Sequence, residues 1–349
     1  MSARYETVGW NTSKIVYDAV FLAVIALYLL GFMWAAPWFQ TISQPSDDLT
    51  LRMNAFGTCA FLLMTLILCI GPAARLDRRF LPLLYNRRHL GVMTAGVAAT
   101  HAGAAMDWYF SYSPINRFEA LLSGNTSFAQ IQGFPFELFG IGGLLVLILL
   151  AATSHDFWLH FLTPRVWKAL HMMLYAGYLS VVLHVSLGAL QAAQNPLLPV
   201  LVAFSVVLVA GLHLAAARGE AAADAAVAPI HPETPWVVAG PIGAIEDGAG
   251  IVVHLADAEP VAIFRHDGKL SAVTNLCAHQ NGPLGEGRVV DGCITCPWHG
   301  FQYRLSDGRA PPPFTEKLAT YQLRVEAGVI LLDPRPNPPG TFVEPVVVA

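Results

Sequence analysis

Four residues late in the chain have the types and spacing of a metal centre. Cys277 and His279 stand two apart, Cys296 and His299 three apart, with sixteen residues between the pairs. Two thiolates and two imidazoles in short pairs fit two tight loops closing on a [2Fe–2S] cluster from opposite sides. Cys277 and Cys296 would hold one iron, His279 and His299 the outer one. Gly282, Gly285, Gly287 and Gly300 suit backbone that turns sharply beside a metal, and Pro283 and Pro297 stiffen the same stretches. Two other readings use the same residues. Cys293 and Cys296 form a C-x-x-C pair of the kind that holds zinc, or the spacing is chance. The flanking glycines favour the cluster, with Cys293 on a strand leading into the second loop.

A second set of chemistry-bearing residues, His101, His171 and His184, lies in apolar sequence. A polar side chain facing hydrocarbon is costly, so an intramembrane histidine marks a functional site by default. His171 and His184 are thirteen residues apart, about 20 Å along a helix. Counted inward from Arg88, His101 is thirteen residues deep; from Lys168, His184 is sixteen deep and His171 three. His101 and His184 therefore lie within about one turn of each other in depth, placed to ligate one haem b from opposite faces. His171 would need a partner near the membrane surface, and His89 is the histidine at that depth on the third apolar stretch. The alternative for each is a histidine hydrogen-bonded inside a helix bundle. His213 reads as interfacial, and His155 and His160 as loop residues.

The elements that must position these groups follow from composition. The chain has 349 residues, enough for two or three domains. Charged residues make up 13%, against a usual ~25%, and hydrophobic residues 55%. That is the composition of an integral membrane protein. A net charge of -4, evenly spread, excludes a nucleic-acid binder. Cys59 and Cys69 lie in apolar sequence as inert core thiols, and five cysteines in this spacing do not make a disulfide scaffold. Six apolar stretches are each long enough to cross ~30 Å of hydrocarbon: 15–36, 53–73, 90–109, 136–153, 166–190 and 197–216. The first is too long for a signal-peptide core. Gly140-Ile141-Gly142-Gly143 inside the fourth suits close helix packing rather than a nucleotide loop.

Arg4, Lys14, Arg75, Arg78, Arg79, Arg87, Arg88, Arg165, Lys168 and Arg218 fall on one side of such a bundle, and only Arg52 and Arg117 on the other. This bias puts both termini in the cytoplasm. Trp34, Trp38, Trp108 and Tyr109 fit an aromatic belt on the opposite face. The expected organisation is a six-helix membrane domain over 1–217 and an Ala-rich linker over 218–235. A small all-β domain follows over 236–333, and a Pro-rich extended tail over 334–349. In the β domain, short strands are expected at 250–255, 261–265, 269–274, 289–290, 294–295, 317–325 and 329–332. Asp267-Gly268, Asp291-Gly292 and Asp307-Gly308 supply the turns.

The stretch from Cys277-Ala-His279-Gln-Asn-Gly-Pro-Leu284 to Ile294-Thr-Cys-Pro-Trp-His-Gly300 closely resembles Rieske ferredoxins and the Rieske domains of aromatic-ring oxygenases. The resemblance covers about residues 235–333. It implies a [2Fe–2S] cluster on Cys277, His279, Cys296 and His299. It departs from the cytochrome bc type, which joins its two loops by a disulfide, because Gly282 and Trp298 stand where those cysteines would be. Phe301 stands where that type places a hydroxyl on a cluster sulfur. Fewer hydrogen bonds to sulfur stabilise the reduced cluster less, so a potential in the lower part of the ~-150 to +300 mV Rieske range is expected.

The membrane half resembles the ferric-reductase-like transmembrane family, which includes the haem-bearing subunit of the bacterial periplasmic methionine sulfoxide reductase system. Arg87-Arg88-His89-Leu90-Gly91 opening a helix with His101, and Trp167-Lys-Ala-Leu-His171-Met-Met-Leu-Tyr175 with His184 beyond, carry this likeness over most of 50–215. It implies haem b on His101, His171 and His184, one haem or two. Members with two haems carry two histidines on each helix. Many members continue into a flavin and nicotinamide domain; here a Rieske-like domain follows instead.

Together these readings describe an electron-transfer protein of a bacterial inner membrane. A cytoplasmic reductase or ferredoxin would reduce the cluster, and electrons would pass to haem b and on to an acceptor at the outer face or in the membrane. The reverse reading has quinol oxidised in the bundle and electrons leaving through the cluster to a cytoplasmic oxygenase. A third reading is a redox sensor without turnover.

Overall fold

The apolar stretches run as helices because little within them stops one. The computed structural model describes residues 12–39, 48–80, 83–84, 86–111, 113–193, 196–225, 235–256, 258–279, 282–297, 300–312 and 314–348. Its helices are α1 (Thr12–Phe39), α2 (Asp48–Leu76), α3 (Arg87–Ser111), α4 (Arg117–Ser123), α5 (Glu137–Ala152), α6 (Asp156–Leu187) and α7 (Leu197–Ala225). Six of these cover the six expected spans to within a few residues at the spans' ends. The count of six is nevertheless corrected to seven among the described residues, because α4 forms in sequence read as loop. Asn116 caps it, its side chain accepting from the backbone N–H groups of Phe118 and Glu119.

Among the described residues, four stretches are long and apolar enough to cross a membrane: Ile15–Ala35, Asp48–Leu76, Ala169–Gln191 and Leu197–Gly219. α5 is apolar but only 16 residues long, about 24 Å. α3 is long enough, but its Ala, Gly and Thr content with Arg87, Arg88, His89 and Asp107 dilutes its hydropathy. The outward faces are apolar all the same: Leu27, Leu30, Leu145, Leu179 and Val207 are 60–69% exposed, a pattern that water would not tolerate over so many helices. Inside, hydrogen bonds clasp the helices. Thr65 Oγ1 of α2 meets Tyr178 OH of α6 at 3.0 Å, and Ser180 Oγ of α6 donates to the Phe139 carbonyl of α5 at 2.8 Å. The glycine run of α5 faces α6: a Cβ at Gly143 would lie 2.6 Å from Val181, and one at Gly142 3.2 Å from Ser180 Oγ. Tyr109 turns inward rather than joining a belt, its hydroxyl donating to the buried Glu137.

The second compact unit holds the β domain. Its strands are β1 (Val237–Pro241), β2 (Gly250–Val253), β3 (Val261–His266), β4 (Lys269–Thr274), β5 (Arg288–Val290), β6 (Cys293–Thr295), β7 (Gln302–Arg304), β8 (Thr320–Tyr321), β9 (Leu323–Glu326), β10 (Val329–Leu332) and β11 (Val346–Val347). They form three antiparallel sheets. β1-β10-β9 is one and β5-β6-β7 another; β11-β4-β3-β2, with β8 also on β4, is the third. Asp267-Gly268 and Asp291-Gly292 adopt positive φ at both residues, as a tight hairpin turn requires. β3 is buried on both faces, so alternate residues serve two cores. Val261 and Ile263 join Ile245, Leu270, Ile330 and Leu332. Ala262 and Phe264 join Val273, Leu284, Ile294 and Tyr303 beneath the metal loops.

Two boundaries shift. The proposed linker over 218–235 begins as helix, since α7 continues to Ala225 on the Ala-rich sequence that favours it; residues 226–234 lie outside the described residues. The tail over 334–349 is a working part of the β domain. β11 pairs with β4, the backbone N–H of Gly340 and Val343 donates to Leu318 and Ser306, and Val348 is buried in the core.

Candidate metal centres

The first loop hangs between β4 and β5. Its neck is closed by Cys277 N–H donating to the Gly282 carbonyl at 2.9 Å and Leu284 N–H to the Asn275 carbonyl at 2.7 Å. Asn275 Oδ1 also accepts from Gly285 N–H at 2.8 Å. The second loop joins β6 to β7 and is closed by Cys296 N–H on the Phe301 carbonyl at 2.8 Å and Gly300 N–H on the Cys296 carbonyl at 2.9 Å. Cys277 and Cys296 are 0% and 1% exposed in one core cluster, and the His279 ring stacks on Phe301, centroids 4.6 Å apart. His299 and Trp298 lie outside the described residues, as do Gln280 and Asn281. Between the loops stands Tyr303, fully buried on β7. Its hydroxyl is 3.3 Å from Cys277 Sγ and accepts from His279 N–H at 3.2 Å. Burial first, then the nearby Cys277, pushes this phenol above its ordinary pKa. It therefore stays protonated and donates to the sulfur.

In the helical unit, His101 of α3 and His184 of α6 meet, with ring centroids 6.2 Å apart and planes at 77°. Nδ1 of His101 donates to the Met53 carbonyl at 2.9 Å, and Nδ1 of His184 to the Phe136 carbonyl at 3.0 Å. A carbonyl only accepts, so both rings carry their proton on Nδ1 and leave the Nε2 lone pair for a metal. Two metal–nitrogen bonds of ~2 Å plus about 1 Å from each nitrogen to its ring centre sum to ~6 Å, the spacing seen. The pair thus fits a haem iron. His171 follows the same rule: Nδ1 bonds the Trp167 carbonyl at 3.0 Å, and Nε2 is buried with no hydrogen-bond partner. His89 is held by Asp18 of α1, Nδ1 to Oδ2 at 2.7 Å, with Asn86 donating to Oδ1 at 2.9 Å. Arg88 Nη1 donates to the Ser154 carbonyl. His160 falls within α6, not in a loop.

Residues 235–322 match the family described as Rieske [2Fe-2S] domain, and residues 56–182 match ferric reductase like transmembrane component. Over 94 residues the chain is 35% identical to the anthranilate 1,2-dioxygenase ferredoxin subunit of Burkholderia cepacia, covering 86% of that protein and 26% of this chain. The chain belongs to the Rieske [2Fe–2S] family. This Rieske domain is carried on a ferric-reductase-like membrane domain. The 3-phenylpropionate/cinnamic acid dioxygenase ferredoxin subunit of Shigella flexneri serotype 5b (strain 8401) is 32% identical over 100 residues, 92% of that protein and 28% of this chain. The Sphingomonas yanoikuyae B1 ferredoxin aligns in structure over 28% of this chain and 95% of its own, with 27% identity and a TM-score of 0.26.

Tyr303 is the residue that the sequence argument missed in this Rieske domain. The hydroxyl that is absent at Phe301 is answered by the Tyr303 hydroxyl two residues on. The signal was weak, because Tyr303 sits on a strand of only three residues, Gln302–Arg304. A Tyr303→Phe variant should keep its cluster and lower its potential. One hydrogen bond of about 1 kcal/mol corresponds to roughly 40 mV for one electron. An EPR-monitored redox titration measures it, and an unchanged midpoint would remove Tyr303 from the account.

Proposed function

We propose that this Rieske protein passes single electrons between a [2Fe–2S] cluster on Cys277, Cys296, His279 and His299 and haem b on His101 and His184. A second haem is bound if His171 takes one. The observation that carries the reading is the His101–His184 pair: two imidazoles from different helices, each with Nδ1 held by a carbonyl. When bound, both groups supply one-electron redox chemistry. The protein's own part is to fix ligand identity, burial and hydrogen bonding around each. Here that means buried Cys277 and Cys296, Tyr303 on one sulfur, and imidazoles held in one tautomer. We further propose six spans with both termini and the Rieske domain on the cytoplasmic side, from the Lys and Arg bias. The donor would be a cytoplasmic reductase or ferredoxin, the acceptor a quinone or an outer-face partner.

The ferredoxin subunits among its relatives serve dioxygenases by name, which supports a second direction: quinol oxidised in the bundle and electrons delivered to an oxygenase. Direction is tested by reducing the cluster chemically in purified protein and following haem absorbance. The expected result is appearance of the reduced haem spectrum. Haem that stays oxidised while the cluster is reduced would count against electron flow from cluster to bundle. Cluster reduction on adding quinol would establish the reverse.

A further inference from the structure

The two bundle histidines are held by one arrangement, built twice. Each Nδ1–H donates to a carbonyl 48 residues earlier, Met53 for His101 and Phe136 for His184. Four residues beyond each carbonyl is a glycine, Gly57 on α2 and Gly140 on α5. In a helix the carbonyl at i−4 already accepts from the N–H at i, and Gly140 N–H reaches Phe136 O at 3.3 Å. A carbonyl has two lone pairs, so a second donor can share it if it can reach past the side chain of residue i. At both positions that side chain is absent. A Cβ at Gly57 would lie 2.8 Å from Nδ1 and Cε1 of His101; a Cβ at Gly140 would lie 2.8 Å from the same two atoms of His184.

We infer that Gly57 and Gly140 are positioning residues for His101 and His184, the two histidines that would hold the haem. Each glycine opens one helix so that the imidazole of its neighbour reaches a helical carbonyl, which fixes the Nδ1–H tautomer and aims Nε2. The bland alternative is helix packing alone, and the molecule holds its own contrast. Gly143, one turn on from Gly140, is equally crowded, but against Val181 Cγ2 at 2.6 Å and no histidine. A methyl at Gly57 or Gly140 pushes the ring off its carbonyl. Losing that bond lowers the basicity of the ligating imidazole, which favours the ferrous over the ferric state.

The inference rests on the haem reading above, and the test separates the two. Gly57→Ala, Gly140→Ala and Gly143→Ala are made in the full chain beside His101→Ala and His184→Ala. Haem content, the low-spin ferric EPR signal and the haem midpoint potential are measured for each. The expected result is a more positive potential and a displaced EPR signal in Gly57→Ala and Gly140→Ala, with Gly143→Ala like the parent. If neither histidine variant loses haem, the haem reading falls and this inference with it. If the histidine variants lose haem while the Gly57 and Gly140 variants keep the parental signal and potential, the positioning role alone falls. It falls equally if all three glycine variants shift alike. Failure of both Gly57→Ala and Gly140→Ala to accumulate while Gly143→Ala does would assign the two glycines to folding and overturn it too.

Discussion

Replacing His101 or His184 with alanine is expected to abolish the haem b absorbance of the purified protein while leaving the [2Fe–2S] EPR signal in place. The two rings come from α3 and α6, their centroids 6.2 Å apart, so a single iron between them would take both as ligands. Partners that merely orient a ligating histidine are worth about 10–100-fold in metal affinity. Removing the ligand itself must cost more than that, enough to empty the site at micromolar protein. A histidine that only packs the bundle behaves differently. Its loss removes one hydrogen bond of about 1 kcal/mol and leaves a cavity in the bundle, which lowers thermal stability but changes no spectrum. The two outcomes separate in a reduced-minus-oxidised difference spectrum. His171→Ala then counts the haems, because its buried Nε2 has no hydrogen-bond partner. A halved haem content means two are bound, and an unchanged one means His171 holds none.

Much of this was legible from spacing alone, for reasons that differ between the two sites. In the bundle, the constant rise of a helix converts residue counts into depth, so His101 and His184 could be matched before any contact was known. The carbonyls of Met53 and Phe136 could not, because every helical residue offers one and only the packed structure chooses. In the β domain, the cysteine and histidine pairs announce themselves by type. Tyr303 did not, since β7 is three residues long and too short to show an alternation. β11 is two residues long and was hidden for the same reason, and the Pro-rich composition of the tail masked its pairing with β4; β1, Val-Val-Ala-Gly-Pro, shows no polar–apolar alternation. α4 is seven residues long and starts from a capping asparagine, a local signal that the search for apolar spans passes over.

Cys296→Ser is expected to eliminate the [2Fe–2S] EPR signal and visible absorbance, whereas Cys293→Ser keeps both. Zinc held through the C-x-x-C pair would make the two variants equivalent, so the comparison decides between the metals. Cys293 opens β6, opposite Arg304; Cys296 lies three residues on, beyond the end of the strand, and an odd offset in extended chain sends side chains to opposite faces. Cys296 shares a core cluster with Cys277, Leu284 and Tyr303, and Cys293 has no place in it. Burial also raises the Cys293 thiol above its ordinary pKa, away from the thiolate that a metal requires. Loss of the cluster should also lower the melting temperature of the β domain, because binding free energy at such a site is folding free energy. Cys277 and Cys296 anchor two loops whose necks are closed by hydrogen bonds that include those to the Gly282, Asn275 and Phe301 carbonyls. The cluster would tie those loops to each other, so Cys296→Ser should loosen both, with faster amide exchange at Cys277 and Gly300 as well as at the mutated position.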